Sequence, residues 1–326
     1  MRLRLLCSLC LFLIAEGVGA QLALPAAYPA YGVQVTTGIV YGHGQVSAPT
    51  PGSKALLLDL YEPVGVDPGA QRPALVIVHG GGFVFGTRLQ PELVMIAEGM
   101  AARGHVVVSI DYRLVPDAPV PSARMAPILA AAIGDLTGAA ADNARAGVAA
   151  IDDAWTAVDW LRAQADALSV DPETIGMLGG SAGAITAVHA GYVLDNYGIA
   201  GPPLSYVVDF WGGSRIPPDD AAAAAAHLDT GEPPLFVAHG TEDDVVPFEW
   251  SQRLVDRALD QDVDVVFHPL PGAGHGVDIF SVEIEAGVTL FDDMLRWTRA
   301  TLLALTFEDG FESGDTLGWG ETSGLQ

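Results

Sequence analysis

The chain has 326 residues, half of them hydrophobic and 17% charged, which suits one large domain with a substantial core or at most two modest ones. A formal net charge of -25 with only 15 Lys and Arg argues against nucleic acid and anionic membrane surfaces as partners, because both demand clustered cations. The 38 glycines are scattered rather than periodic, which excludes a collagen-like chain.

Residues 1–20, MRLRLLCSLCLFLIAEGVGA, have the layout of a secretory signal peptide. Arg2 and Arg4 form the basic start, residues 5–15 are apolar, Glu16 ends the run, and small residues lead up to a cut after Ala20. The run is near half the ~20 residues a membrane span needs, so no stable membrane insertion is expected once it is removed. Cys7 and Cys10 are the only cysteines and both lie inside this leader. Their C-x-x-C spacing is therefore not read as a redox motif, and a mature chain starting near Gln21 forms no disulfide. The expected destination is secreted or periplasmic.

Residues 21–54, with Pro25, Pro29, Pro49 and Pro51, read as a loop-rich segment. Strands are predicted at 55–61, 74–78, 106–110, 175–178, 206–210, 235–238 and 263–267. Several of these runs are apolar throughout, the signature of strands buried on both faces of a parallel sheet. Helical spacing of apolar residues appears at 91–103, 151–168, 182–194, 248–259 and 282–303. Residues 126–147 are alanine-rich and read as an inserted helix and loop; 212–234 reads as a loop with one helical turn. Residues 306–326, acidic and with little to bury, read as a flexible tail. Strand and helix alternate through 55–305, so the fold class is α/β, with a mostly parallel central sheet and helices on both faces.

Residues 179–183 read GGSAG and satisfy G-x-S-x-G, with a short strand before and a helix after. Turning from strand to helix within a few residues strains the serine and requires small neighbours. The Ser181 hydroxyl then stands above the sheet at a helix N-terminus, where backbone N–H groups favour a developing negative charge. Residues 79–83 read HGGGF after another predicted strand, and three glycines let backbone N–H groups approach a ligand closely. A serine nucleophile also needs a base. Of eight histidines, His275 lies in the glycine-rich loop PGAGHG after the last predicted strand, from which it can reach the top of the sheet. His79 and His239 each precede a glycine and read as loop-shaping. His189 lies on the helix after Ser181, and His43, His105, His227 and His268 have no partner pattern. Asp243 and Asp244, in HGTEDDVVP at 239–247, offer a carboxylate to orient the base.

The chain resembles serine carboxylesterases of the α/β-hydrolase fold, near the hormone-sensitive-lipase-like and related bacterial esterases. The resemblance covers roughly residues 55–303. It rests on HGGGF at 79–83, IDYRLVPDAPVP at 110–121, GGSAG at 179–183, HGTEDDVVP at 239–247 and GAGH at 272–275, with the order Ser, Asp, His. It implies that Ser181 is the nucleophile, Asp243 the acid and His275 the base. It also implies that Gly81, Gly82 and Ala182 lend N–H groups to an oxyanion hole, and that Asp111 and Arg113 form a structural pair below the site. Two departures stand out. Gly180 takes the place of the acid in the GDSAG of those enzymes, and 212–234 is too short for a large lid. An open site, short acyl chains of about two to six carbons and no interfacial activation follow as expectations from the missing lid.

No cofactor and no metal are expected, since no H-E-x-x-H or comparable spacing occurs. The expected partner is a small-molecule or polymer-linked ester, with no nucleic acid, and nothing in the sequence sets the oligomeric state. Two other readings are a peptidase of the prolyl-oligopeptidase type, which usually adds a large propeller domain, and an inactive binding protein on the same fold.

Overall fold

The computed structural model describes residues 30–66, 69–214 and 228–308. The expected leader, the middle of the 212–234 loop and most of the expected tail lie outside these residues.

Apolar runs that alternate between two buried faces build the centre of the molecule. In β3 (Arg72–Val78), Ala74, Val76 and Val78 face one helical layer, while Leu75 and Ile77 face the other. In β4 (Val106–Ile110), Val106, Val108 and Ile110 face the first layer and Val107 the second. Every one of these side chains is buried. That is why the runs carry no polar alternation in sequence.

Nine strands form one sheet in the order β5-β1-β2-β4-β3-β6-β7-β8-β9. The others are β1 (Gly32–Val46), β2 (Gly52–Val64), β5 (Pro119–Val120), β6 (Val170–Gly180), β7 (Tyr206–Phe210), β8 (Leu235–Gly240) and β9 (Val265–Leu270). Pairings from β4 to β9 are parallel; β1, β2 and β5 add an antiparallel edge. Helix α1 (Pro91–Ala101) covers one face. Helices α2 (Ala126–Ile133), α3 (Gly138–Ala163), α4 (Ala165–Leu168), α5 (Ala182–Tyr192) and α6 (Phe248–Asp260) follow; α3, α5 and α6 pack on the opposite face. A small hairpin, β10 (Glu283–Glu285) and β11 (Val288–Thr289), leads into α7 (Leu290–Glu308), which lies on the α1 side. The expected α/β sandwich around a mostly parallel sheet is present.

Four expectations are corrected. The segment 21–54 is not loop-rich throughout, because Gly32–Val46 is the longest strand of the sheet. The helix predicted at 151–168 begins at Gly138, so the last part of the alanine-rich insert is continuous with it, while the first part forms the separate helix α2 followed by a short loop. The helix predicted at 282–303 starts only at Leu290, since Gly287 at φ +75° turns the chain into the hairpin first; it then runs to Glu308, into the expected tail. Finally, Asp111 and Arg113 do not pair with each other. Asp111 Oδ1 accepts the Arg88 N–H at 2.8 Å and its other oxygen pairs with the Arg88 guanidinium, which also donates to Asp59 Oδ1 at 2.8 Å. Arg113 instead reaches α3: its Nη2 donates to Asp153 Oδ1 at 2.6 Å and to Asp152 Oδ2 at 3.2 Å.

Arg113 is only 2% exposed, and its Nη1 also donates to the carbonyls of Gln45 and Val120, which ties β1 and β5 to α3. Burial pushes the Asp153 carboxyl up to about 6 even against the hydrogen bonds from Arg113. Arg113→Leu strands that carboxylate in the core, and a loss of about 3–5 kcal/mol is expected. The loss shrinks towards acid pH, because the folded state then takes up a proton on Asp153 that the unfolded chain binds less tightly. Urea denaturation at two pH values reads both effects.

Candidate active site

The loops that follow the parallel strands gather at one end of the sheet, where open α/β sheets place their ligand sites. Ser181 stands between the last residue of β6 and the first of α5, with φ 55° and ψ -123°. A non-glycine residue held there costs on the order of 1–3 kcal/mol. The turn is fixed by close backbone approach on both sides. A Cβ at Gly179 would fall 2.1 Å from the Gly183 carbonyl carbon, and one at Gly183 would fall 2.0 Å from Val78 O. Only glycine fits at either position, so the GGSAG spacing is a packing requirement of the elbow. At Gly180 the indole of Trp211 lies 3.4 Å from a built Cβ. A side chain at this position would therefore pack beside that ring in ordinary contact.

His275 Nε2 accepts the Ser181 Oγ hydrogen at 3.0 Å, and His275 Nδ1 donates to Asp243 Oδ2 at 2.7 Å. The imidazole is about a fifth exposed, whereas the Asp243 side chain is wholly buried. Burial alone would raise the Asp243 pKa. The hydrogen bonds from His275 and from the Val246 and Val245 N–H groups outweigh it and hold the carboxyl below its ordinary value. The carboxylate therefore stays ionised while it orients the ring. Asp244 is exposed at the next position.

The loop after β3 lies against this elbow, since a Cβ at Gly80 would touch Ser181 Cβ at 3.4 Å. Gly81 (φ +113°) and Gly82 (φ +61°) are both left-handed, and a Cβ at Gly81 would fall 2.0 Å from Phe85 O. The Ala182 N–H, in the first turn of α5, has no intrahelical acceptor. His79 takes no part in the hydrogen-bonded series. It is fully buried, stacks on Tyr112 with 4.1 Å between ring centroids, and bonds through Nδ1 to Gly80 O at 2.7 Å. His268 pairs with Asp293 at 2.9 Å, away from Ser181.

One participant was missed in the sequence. His239, read as loop-shaping, places Nε2 3.1 Å from Asp243 Oδ2 and 3.0 Å from Val246 O, so this nitrogen donates to both. Its Nδ1 accepts from Ser251 Oγ at 2.7 Å, and that hydroxyl faces the buried Asp209 at 3.5 Å. Asp209 in turn accepts the Gly212 and Gly213 N–H groups, and burial pushes its carboxyl up. The four-residue step from His239 to Asp243, at the end of a strand, was the available signal.

Among the described residues no cluster of His, Cys, Asp and Glu could hold a metal ion, and no helix is long and apolar enough to cross a membrane.

Comparison with known proteins follows the same outline. The BD-FAE family model matches residues 58–128 and 140–210, and the prolyl oligopeptidase family model matches residues 208–303. Carboxylesterase NlhH of Mycobacterium tuberculosis is 33% identical over 135 residues, 41% of this chain and 33% of that protein. Esterase LipC of the same species is 27% identical over 262 residues, 69% of this chain and 58% of that protein. The chain thus spans from a third to somewhat over half the length of these curated relatives. Among solved structures, esterase 2 of Thermogutta terrifontis superposes with a TM-score of 0.56 at 23% identity, covering 90% of this chain and 98% of that one.

Proposed function

We propose that this chain, which has the α/β-hydrolase fold, is a serine esterase that hydrolyses carboxylic esters with short acyl chains through an acyl-enzyme intermediate, as an exported enzyme. The observation that carries the reading is the unbroken series Ser181 Oγ–H to His275 to Asp243, beside the Gly81–Gly82 loop.

In this mechanism Ser181 Oγ attacks the ester carbonyl carbon while its proton passes to His275 Nε2. Asp243 holds the ring in the tautomer that leaves Nε2 free to accept, and stabilises the imidazolium that forms. Negative charge gathers on the carbonyl oxygen, where the N–H groups of Gly81, Gly82 and Ala182 serve as donors. His275 then gives the proton to the leaving alkoxide, and the C–O bond breaks to leave an acyl-Ser181. Water, activated by the same imidazole, adds to the acyl carbon, and collapse releases the acid and restores the serine. His239 and the two N–H groups of Val245 and Val246 act as positioning groups, holding the carboxylate still.

The absence of a long insert between β7 and β8 supports an open mouth, and with it short acyl chains and no interfacial activation. The leader-like residues 1–20 support export. Assay of p-nitrophenyl esters from two to sixteen carbons tests the reading: turnover is expected with an optimum at or below about six carbons and no rise above the solubility limit. Failure to cleave any of them overturns the ester reading; a higher kcat/KM for palmitate overturns the short-chain part.

The match of residues 208–303 to the prolyl oligopeptidase model favours a second reading, peptide-bond cleavage by the same three residues. A prolyl p-nitroanilide assayed beside the esters decides between them.

A further inference from the structure

Helix α5 leads away from Ser181, and part of its surface is not packed. Ile185 and Val193 border a cleft whose opposite wall is Ile128 of α2 with Gly147 and Ile151 of α3, and whose near end is Phe83, the residue after Gly82. The cleft holds about 610 Å³, including the part open to solvent. Asn143, also on its wall, donates from Nδ2 to Gly82 O at 2.7 Å, so the α3 wall is tied directly to the loop assigned to the oxyanion. Residues 129–139, which comprise most of α2, the link to α3 and the first two residues of α3, fall between the two segments matched by the BD-FAE model.

The sheet order fixes which part of an ester can enter. Asp243 and His275 descend from β8 and β9, on one side of β6, whereas Phe83 follows β3 on the other side, and α3 packs with β3 in the same core layer. The tetrahedral carbon carries four groups: Ser181 Oγ, the oxyanion, the leaving oxygen and the acyl chain. The leaving oxygen must lie within hydrogen-bond reach of His275 Nε2 to be protonated, which places it on the β8–β9 side. With the oxyanion held by Gly81, Gly82 and Ala182, the acyl chain is left with the β3 side, where the cleft opens.

We propose that the cleft between α2, α3 and α5 is the acyl pocket, taking an unbranched aliphatic chain. The inference rests on the ester-hydrolase reading above. Ile185 to Val193 spans about 12 Å along α5 and its C-terminal cap, so the pocket reaches well beyond an acetyl group, and its lining is mainly apolar, with Asn143, Thr186, His189 and Tyr197 as its polar members. Gly147, on the α3 wall, lies next to Phe83. A Cβ there meets the Phe83 ring at 3.5–3.8 Å, which is ordinary contact, so a longer side chain must turn into the cleft.

The test compares kcat/KM for p-nitrophenyl acetate, butyrate and hexanoate in the full-length enzyme and in Gly147→Leu, with Ala132→Leu on the half-exposed α2 wall as a second variant. Circular dichroism melts check that each variant folds. Wild type is expected to gain about threefold to fourfold per added methylene up to the limit of the cleft. Each variant is expected to lower the hexanoate-to-acetate ratio by about tenfold or more, the equivalent of two or so methylenes no longer buried. A loss common to all esters cancels in that ratio. In parallel, the ratio for methyl and benzyl butyrate, which differ only in the alcohol, is expected to stay within about twofold. If the alcohol ratio moves and the acyl ratio does not, the cleft is an alcohol pocket and the assignment is overturned. If neither ratio moves in a folded variant, the cleft is not a substrate subsite and the assignment is equally overturned. A wild-type enzyme inactive on every ester would defeat the ester reading instead, which is a separate result.

Discussion

Ser181→Ala abolishes nearly all ester turnover, with an expected fall in kcat on the order of 10⁴- to 10⁶-fold. The change removes one oxygen atom and the bond it makes to His275 Nε2. It does not disturb the elbow: the Ser181 N–H still donates to Phe210 O and its carbonyl still accepts from Ile185 N–H. The left-handed φ of 55° costs alanine about what it costs serine, so the thermal midpoint should barely move. Residual rate above buffer is expected, because the donors around the carbonyl oxygen and the binding of the ester remain. A folded variant that kept a tenth of the wild-type rate would mean that another group attacks the ester.

Asp243→Asn comes next in size, with an expected loss of about 10³- to 10⁴-fold. The carboxylate receives two imidazole N–H groups, from His275 at 2.7 Å and His239 at 3.1 Å, both at Oδ2, while Oδ1 receives the backbone N–H groups of Val245 and Val246. Asparagine can keep the two backbone bonds with its single carbonyl oxygen, and then it turns an NH₂ towards the two rings. His275 must present a lone pair at Nδ1 to meet it, which puts the proton on Nε2 and removes the base that Ser181 needs. Asp244→Asn, at an exposed neighbour, should cost less than about tenfold. Turnover numbers in the opposite order would move the acid by one residue.

The parts of this molecule that were legible in the sequence are those whose constraints are local. β3 and β4 showed as nearly continuous apolar runs, broken within β4 only by Ser109, because both of their faces are buried. The elbow showed because Gly179 and Gly183 are required by contacts within five residues or with the adjoining strand. β1 was illegible for the opposite reason. It lies near the sheet edge, its side chains are mostly half or fully exposed, and its pairing to β2 shifts register twice, between Thr36 and Ile39 and between Val40 and Gly42. No clean alternation survives in such a strand. Alanine hid the amino-terminal half of α3, since alanine satisfies a helix without marking which face is buried.

The buried charges illustrate the remaining limit. Asp111 and Arg113, two residues apart, read naturally as a pair. In the fold, each finds its partner far along the chain, Arg88 for one and Asp153 for the other. Nothing in the spacing of Arg113 announces a partner 40 residues on, on a helix whose register the sequence left open. The three chemical residues could be ordered from motifs; the groups that hold them in place, His239 foremost, needed the loops to be placed in space.

The central claim is that Ser181 becomes acylated. Intact-protein mass spectrometry after treatment with a serine-reactive phosphonate, followed by peptide mapping, tests it most directly. The account predicts one adduct per chain, carried by the peptide containing Ser181, with ester turnover lost in proportion to labelling and no adduct on Ser181→Ala. An enzyme that lost activity with the label on a different residue, or that kept full turnover with Ser181 labelled, would contradict it.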